Sequence, residues 1–201
     1  GRRTRLRLPN PASLIEPLVR RLIYATPLYS ISLMGRAPTA IAVTPPEPWP
    51  GDAARGRVIL ENEFTFAGES VFGDNCLWSP PNVGESWMEE PHGFSWISDL
   101  HMVGSDAARL RARALVADWI AHHGRWSSVA WRSDVLGTRI ASWLGRYDFF
   151  CASADELFRE KFFSSLSRQI KHLARTATRE ADGARRFFAI KGLIYAGVCL
   201  R

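Results

Sequence analysis

Cysteine is scarce here: three residues in 201, at Cys76, Cys151 and Cys199, widely spaced and odd in number. No pair has the CxxC or Cys/His spacing of a zinc site, and three scattered thiols do not make a disulfide framework. Isolated thiols of this kind ordinarily sit in a core. His122 and His123 are adjacent, so on a helix they point to different sides and form no ligand pair. Neither a metal nor a cofactor is expected. Long apolar runs are missing as well. No stretch of about 18 uninterrupted apolar residues occurs, so no membrane-spanning helix is expected. The N-terminus is basic, but the segment after it carries Glu16, Pro17, Arg20 and Arg21. That is unlike a secretory signal, which needs a compact apolar run before a small-residue cleavage site. Localisation is not written in this stretch.

Apolar residues make up 46% of the chain and charged residues 23%, an ordinary globular mixture. The length suits one domain with a sizeable core. The net charge of +6 favours an anionic partner: nucleic acid, anionic lipid or acidic polysaccharide. The arginines are dispersed and no nucleic-acid motif occurs, so nucleic acid is not expected. Tryptophan is abundant, and six of the eight lie between Trp78 and Trp131. Trp supplies both buried area and flat platforms for sugars.

Leu14, Ile15, Leu18, Val19, Leu22 and Ile23 recur at helical spacing, with Arg20 and Arg21 off the stripe. This predicts an amphipathic basic helix ending near Pro27. Its stripe either packs on the rest of the protein or lies on an anionic membrane. The proline-rich segment 37–56 reads as a linker or extended wrap. Phe64-Thr65-Phe66-Ala67-Gly68-Glu69 predicts a short strand or hairpin. Residues 75–93 read as a long loop carrying Trp78, Trp87 and His92.

From residue 94 onward the pattern is helical: Phe94 to Val103, then a helix capped by Ser105 and ending at Gly124. The next is opened by Ser133 or Asp134, with Leu136, Ile140, Trp143, Leu144 and Tyr147 in rhythm. A long helix opens at Ser153, and a last one runs through Phe187, Ile190, Ile194 and Val198. The expectation is an all-α fold, an incomplete α/α toroid of antiparallel helix pairs, with at most short strands near the start. Residues 1–44 form a basic helix plus linker, and 45–201 the toroid portion. The last apolar helix reaches Leu200-Arg201 without a Gly cap, so the chain is expected to be a fragment whose last helix exposes a broad apolar surface.

Three stretches resemble the heparinase II/III-like polysaccharide lyases. Phe64 to Glu69 is similar to that family's early "F.F.G" segment, and Phe94-Ser95-Trp96-Ile97-Ser98-Asp99-Leu100 to its "H.F.WL.DL" helix. Trp131, Arg139 and Trp143 match its "W.PY....R..NW" segment, with Ser142 where the family has Asn. The resemblance implies a lyase of acidic polysaccharide, cleaving at a uronic acid by β-elimination, with a β-sandwich domain of the same chain completing the cleft. It also suggests the cell envelope or periplasm. In that chemistry a cationic or amide group neutralises the carboxylate, a base takes the C5 proton and an acid protonates the leaving oxygen. The family's Asn-His pair is absent before the last helix, where Gly183, Ala184 and Arg185 stand. Arg185 or Arg186 would then neutralise the carboxylate, and the remaining catalytic residues would lie beyond residue 201.

Arg139 flanks an apolar stripe and needs a partner, either a sugar carboxylate or an acid of a neighbouring helix. Trp96, Trp131 and Trp143 would line the substrate side or fill the core. Trp78, Trp87 and Trp126 would stack on sugars or anchor loops, and His92 would face the cleft or serve the fold. Arg185 and Arg186 oppose the dipole of the last helix, a penalty that an anionic ligand, Glu180 or Asp182 could relieve. Two rivals stand beside the lyase. An α/α-toroid glycoside hydrolase would need paired carboxylates, for which Asp99, Asp118, Asp134 and Asp148 are available. A non-catalytic domain binding anions or a membrane surface would use residues 1–36, with the Arg2, Arg3, Arg5, Arg7 run and the amphipathic helix.

Overall fold

The computed structural model describes residues 11–46, 50–73, 77–180 and 183–200. The Arg2, Arg3, Arg5, Arg7 run, Cys76 and Asp182 lie outside the described residues, as do the side chains of Leu14, Ile15 and Glu180. The chain is mostly helical, and the described residues hold one two-stranded antiparallel sheet. In order they form α1 (Pro11–Tyr24), α2 (Pro27–Ser32), α3 (Ala53–Leu60), β1 (Glu63–Phe66), β2 (Glu69–Phe72) and α4 (Glu85–Gly93). Then come α5 (Ile97–Val103), α6 (Asp106–His123), α7 (Ser133–Gly145), α8 (Tyr147–Phe150), α9 (Glu156–Glu180) and α10 (Gly183–Cys199).

Short polar side chains start four of these helices. Asp52 accepts from the Ala54 N–H at 2.7 Å, Ser105 from Ala108 at 3.1 Å, and Asp155 from Phe158 at 2.7 Å. Three expectations are corrected by such caps. Pro27 does not simply end the first helix. It opens α2 at the first helical position, where its missing N–H costs nothing, with Thr26 as cap. Ala53–Gly56 belong to α3 rather than to a linker, because Asp52 caps them. The long helix starts after Asp155, not at Ser153.

The hairpin falls where the alternating aromatics put it. Glu63 pairs with Phe72 and Phe66 with Glu69 across a turn in which Ala67 (φ 49°) and Gly68 (φ 83°) both have positive φ. Phe64 and Phe66 are buried, and Phe66 meets the Trp87 ring edge-on at 5.3 Å. Residues 85–93 are not loop but α4. Trp87 is fully buried and donates from Nε1 to the Glu69 carbonyl at 3.0 Å, so tertiary burial outweighs the weak local pattern. Phe94 ends α4 with a left-handed φ of 58°, and the following helix begins at Ile97 rather than Phe94.

Helix α7 is the centre of the molecule. Leu136, Ile140, Trp143 and Leu144 are buried, and α4, α9 and α10 all pack on it. Its apolar rhythm stops at Gly145 and resumes in α8. Helices α7 and α10 cross with no side chain between them: a Cβ on Gly192 would lie 2.5 Å from the Cα of Gly137. A similar approach brings α3 onto α5, where a Cβ on Gly56 would lie 2.3 Å from the Asp99 carbonyl oxygen. The Asp99 carboxylate then accepts from the Asp52 N–H at 2.7 Å and faces Arg55 at 3.4 Å, while burial pushes its pKa up.

Candidate functional site

Helices α1 and α2 form a strap laid along α9 with its apolar side outward. Leu18, Val19, Leu22 and Ile23 on α1 are exposed, as are Leu28, Ile31 and Met34 after it; Leu22 and Leu28 keep 71% and 77% of their surface. Of the two readings of the α1 stripe, packing on the protein does not hold for Leu18, Val19, Leu22 and Ile23. Tyr24 turns inward instead. Its ring lies 5.1 Å from that of His172 and 6.0 Å from that of Trp126. By the 100° helical step the apolar arc of Leu18, Leu22, Val19 and Ile23 spans roughly 140°, with Arg21 beyond one edge and Arg20 beyond the other.

What holds the strap is mainly polar. Tyr29 Oη and His172 Nδ1 are 2.7 Å apart. Arg175 donates to the Ser32 hydroxyl at 2.9 Å and to its carbonyl at 3.0 Å, and Lys171 donates to the Met34 carbonyl at 3.0 Å. Two cations on the last carbonyls of α2 are favoured by its dipole. Leu33 is buried beneath the strap as its apolar anchor. Residues 16–36 carry Arg20, Arg21 and Arg36 against Glu16, and Arg168, Lys171, Arg175 and Arg179 repeat along the neighbouring face of α9.

Behind the strap runs a buried polar seam. Arg139 is 0% exposed; its Nε donates to Gln169 Oε1 at 2.8 Å and its Nη1 to the His92 carbonyl at 2.7 Å. The guanidinium lies over the Trp119 ring, and Nη2 has no hydrogen-bond partner. Burial pushes the Arg139 pKa down, and among the described residues no carboxylate opposes it. Three histidines surround this cation. His92 accepts from Trp119 Nε1 at 3.0 Å, His123 lies ring to ring with His92 at 4.8 Å, and His172 meets the strap. Burial, reinforced by Arg139, lowers their pKa values to about 3 for His92 and about 4 for His123 and His172. All three are neutral at pH 7.

The residues expected to bind a polymer are thus mostly enclosed. Trp87, Trp96, Trp131, Trp143, His92 and Arg139 have almost no accessible surface. Trp78 is stacked against His92 and Phe94, and its Nε1 is committed to Asp118. Trp126 is half-buried under Tyr24. Arg185 is exposed and reaches Asp134 at 3.5 Å. Asp134 is itself held by Arg132, which also binds Glu85 and Glu89 at 2.7 and 2.6 Å. Burial alone would raise the Asp134 carboxyl, but the Arg132 guanidinium outweighs it and holds it below the usual range. Arg186 is exposed beside it. Among the described residues no group of three His, Cys, Asp or Glu could hold a metal ion, and no helix is long and apolar enough to cross a membrane.

Gln169, His172 and Thr176 were not singled out by the sequence reading. Their signal was there: they are polar residues at helical spacing within the apolar stripe of α9, where a buried polar row must find partners. Ser133 Oγ donates to Thr176 Oγ1 at 2.9 Å, and Thr176 in turn to the His172 carbonyl.

No family model matches the chain, and no solved structure matches it. Among curated proteins it is similar to FtsZ-localized protein C of Caulobacter vibrioides, with 30% identity over 140 residues. The match covers 68% of this chain and 24% of that relative's length. It overturns the expectation of a polysaccharide lyase acting by β-elimination, because the relative is named for localisation with FtsZ and not as a lyase. The enclosure of Arg139 and the tryptophans agrees with that correction: a buried cation already committed to Gln169 and a backbone carbonyl has no surface to offer a uronate.

Proposed function

We propose that this chain is a surface-docking module of a cell-division protein, and that the strap of residues 16–36 lays its apolar side on an anionic membrane surface. The observation that carries the reading is the strap's orientation: Tyr24, Tyr29 and Leu33 turn to the protein while Leu18, Leu22, Ile23, Leu28, Ile31 and Met34 face out. Fully burying a Leu or Ile side chain is worth about 1.5–3 kcal/mol, so six such residues give ample drive even when only part of each is immersed. Each nearby Lys or Arg adds about 1 kcal/mol at an anionic surface. Arg20, Arg21 and Arg36 supply those charges. The relative is named for its localisation with FtsZ; carried to this chain, the module works at the division site, where a membrane-lying strap leaves its remaining faces free for protein partners.

The helices α7, α9 and α10, each packed on the next, support the finer reading of an incomplete α/α toroid behind the strap.

The test is co-sedimentation of the intact chain with vesicles of phosphatidylcholine alone and with about one third phosphatidylglycerol. Binding is expected to the anionic vesicles and to fall as salt rises, since exposed charges are screened beyond about 10 Å at 0.1 M. Equal recovery with and without the anionic lipid would sink the electrostatic part, and no recovery with either would sink the reading.

A further inference from the structure

The strap ends at a cavity. Past α2 the chain turns at Gly35, whose φ of 140° suits glycine and few other residues. Lys171 fills the space beside it, for a Cβ on Gly35 would lie 2.8 Å from Lys171 Nζ. The same ammonium donates to the Met34 carbonyl at 3.0 Å and fixes the near end of the following segment. The far end is fixed on α10, where the Ala42 N–H donates to the Cys199 carbonyl at 2.7 Å and Ile41 pairs with Leu200. Between these anchors lies an open cavity of about 620 Å³. Small-molecule sites usually measure about 300–1,000 Å³.

Its lining has two characters. Arg36, Lys171, Thr39 and Ser167 supply donors, while Ile170 and Leu200 supply an apolar wall. Among the described residues no carboxylate pairs with Arg36 or Lys171, and neither hydroxyl has a hydrogen-bond partner. Lys171 spends one of its three donors on Met34. No Asp or Glu occurs in residues 17–46, 161–179 or 183–200, the segments that build the walls. The cavity therefore favours an anion. A carboxylate offers two acceptor oxygens and a phosphodiester four, which suits four donor side chains around one space. A free phosphate would leave the apolar wall bare.

We infer that this cavity is a headgroup site for an anionic phospholipid. The phosphate sits between Arg36 and Lys171 with the Thr39 and Ser167 hydroxyls, and charge-assisted bonds of this kind are the strong ones. The glycerol and first methylenes lie on Ile170 and Leu200. Giving the phosphate to a lipid rests on the membrane reading of the strap: Met34, 60% exposed, is its last outward side chain and stands two residues before Arg36. The strap's apolar side then supplies membrane affinity, and the cavity supplies the preference among headgroups.

The test titrates the intact, nitrogen-15-labelled chain with monomeric dihexanoyl phosphatidylglycerol and reads amide chemical shifts. Saturable shifts are expected at residues 36–39, 167–171 and 200. Dihexanoyl phosphatidylcholine, inorganic phosphate and hexanoate should each bind about tenfold more weakly, as loss of one charge-assisted contact predicts. Arg36→Gln, an exposed change, should weaken phosphatidylglycerol binding about tenfold with an unchanged circular dichroism spectrum. Arg21→Gln removes the same charge from α1 and should leave it unaltered. Equal binding of inorganic phosphate would make the site one for free phosphate, and equal binding of hexanoate one for any carboxylate; either overturns the proposal. So do equal binding of phosphatidylcholine, equal effects of the two variants, shifts confined to residues 18–34, or no saturable shift. Vesicle flotation without cavity shifts sinks this proposal and spares the strap. Cavity shifts in a chain that fails to float sink the strap reading instead.

Discussion

The guanidinium carbon of Arg139 lies 4.0 Å from the centre of the Trp119 ring. This is a cation–π contact in the core, made by a charge that no carboxylate among the described residues faces, and it joins α7 to α6 through the middle of the molecule. A desolvated contact of this kind is worth about 2 kcal/mol. Its loss would also strand Gln169 Oε1 and the His92 carbonyl, each an acceptor costing about 1–3 kcal/mol when buried and unpaired.

Arg139→Ala should therefore destabilise the fold by about 2–4 kcal/mol, the removal of one desolvated charge offsetting part of the loss. Arg139→Met, which fills most of the volume and removes the charge, should lose less than Ala. Urea denaturation of both variants decides it. A pair of midpoints matching the wild type would show that the seam contributes nothing to stability.

The three neutral histidines make stability fall in mild acid. Their folded pKa values, about 3 for His92 and about 4 for His123 and His172, lie below the ordinary 6.5. The unfolded chain takes up protons first, so their contribution is complete above about pH 6.5 and is lost as pH falls toward 4. Each can contribute up to about 1.4 kcal/mol per pH unit across that window, less for the partly exposed His123. Asp99 works the other way: its raised pKa means the fold binds its proton more readily, relieving part of the loss. The melting temperature should drop steeply between pH 6.5 and 4.5, and His172→Gln should flatten the curve. A flat wild-type profile over that range contradicts the buried neutral assignment.

Gly192→Ala should separate α7 from α10, because the added methyl would sit 2.5 Å from the Gly137 Cα and 2.7 Å from its carbonyl oxygen. Backbone cannot yield as a flexible side chain can, so the expected loss is about 1–3 kcal/mol or more. Gly197→Ala is the internal contrast. Its methyl meets nothing, and better helix propensity should stabilise the chain by about 0.5–1 kcal/mol. Thermal unfolding of the two variants should move in opposite directions; movement in the same direction would mean the crossing is not as tight as described.

The elements were largely legible in the sequence, because period and caps are local. Leu136, Ile140 and Trp143 announced α7, Ser105 announced α6, and Phe64 with Phe66 announced the hairpin. Helix α4 was missed because its helical state depends on burying Trp87 against a hairpin carbonyl 18 residues earlier, and no local pattern encodes that. The site was harder to read. The amphipathic stripe of α1 was visible, but which way it faces is decided by distant partners: His172 for Tyr29, and Lys171 and Arg175 for the carbonyls ending α2. Arg139 was correctly picked as a charge in need of a partner. That the partner would be a ring, an amide and a carbonyl was not in the spacing. A motif with two tryptophans and an arginine at fixed separation reads equally well as a sugar site or as a sealed core, and here it is a sealed core.

The outward face of the strap is the central claim, and vesicle flotation of the double variant Leu22→Glu with Leu28→Glu tests it most directly. Both residues are exposed, so the fold should be untouched, as circular dichroism can verify. Losing two immersed leucines at about 1–1.5 kcal/mol each should weaken binding to anionic vesicles about 30- to 150-fold. The account predicts that wild-type protein rises with the vesicles while the double variant stays at the bottom of the gradient. Equal flotation of the two proteins would contradict it.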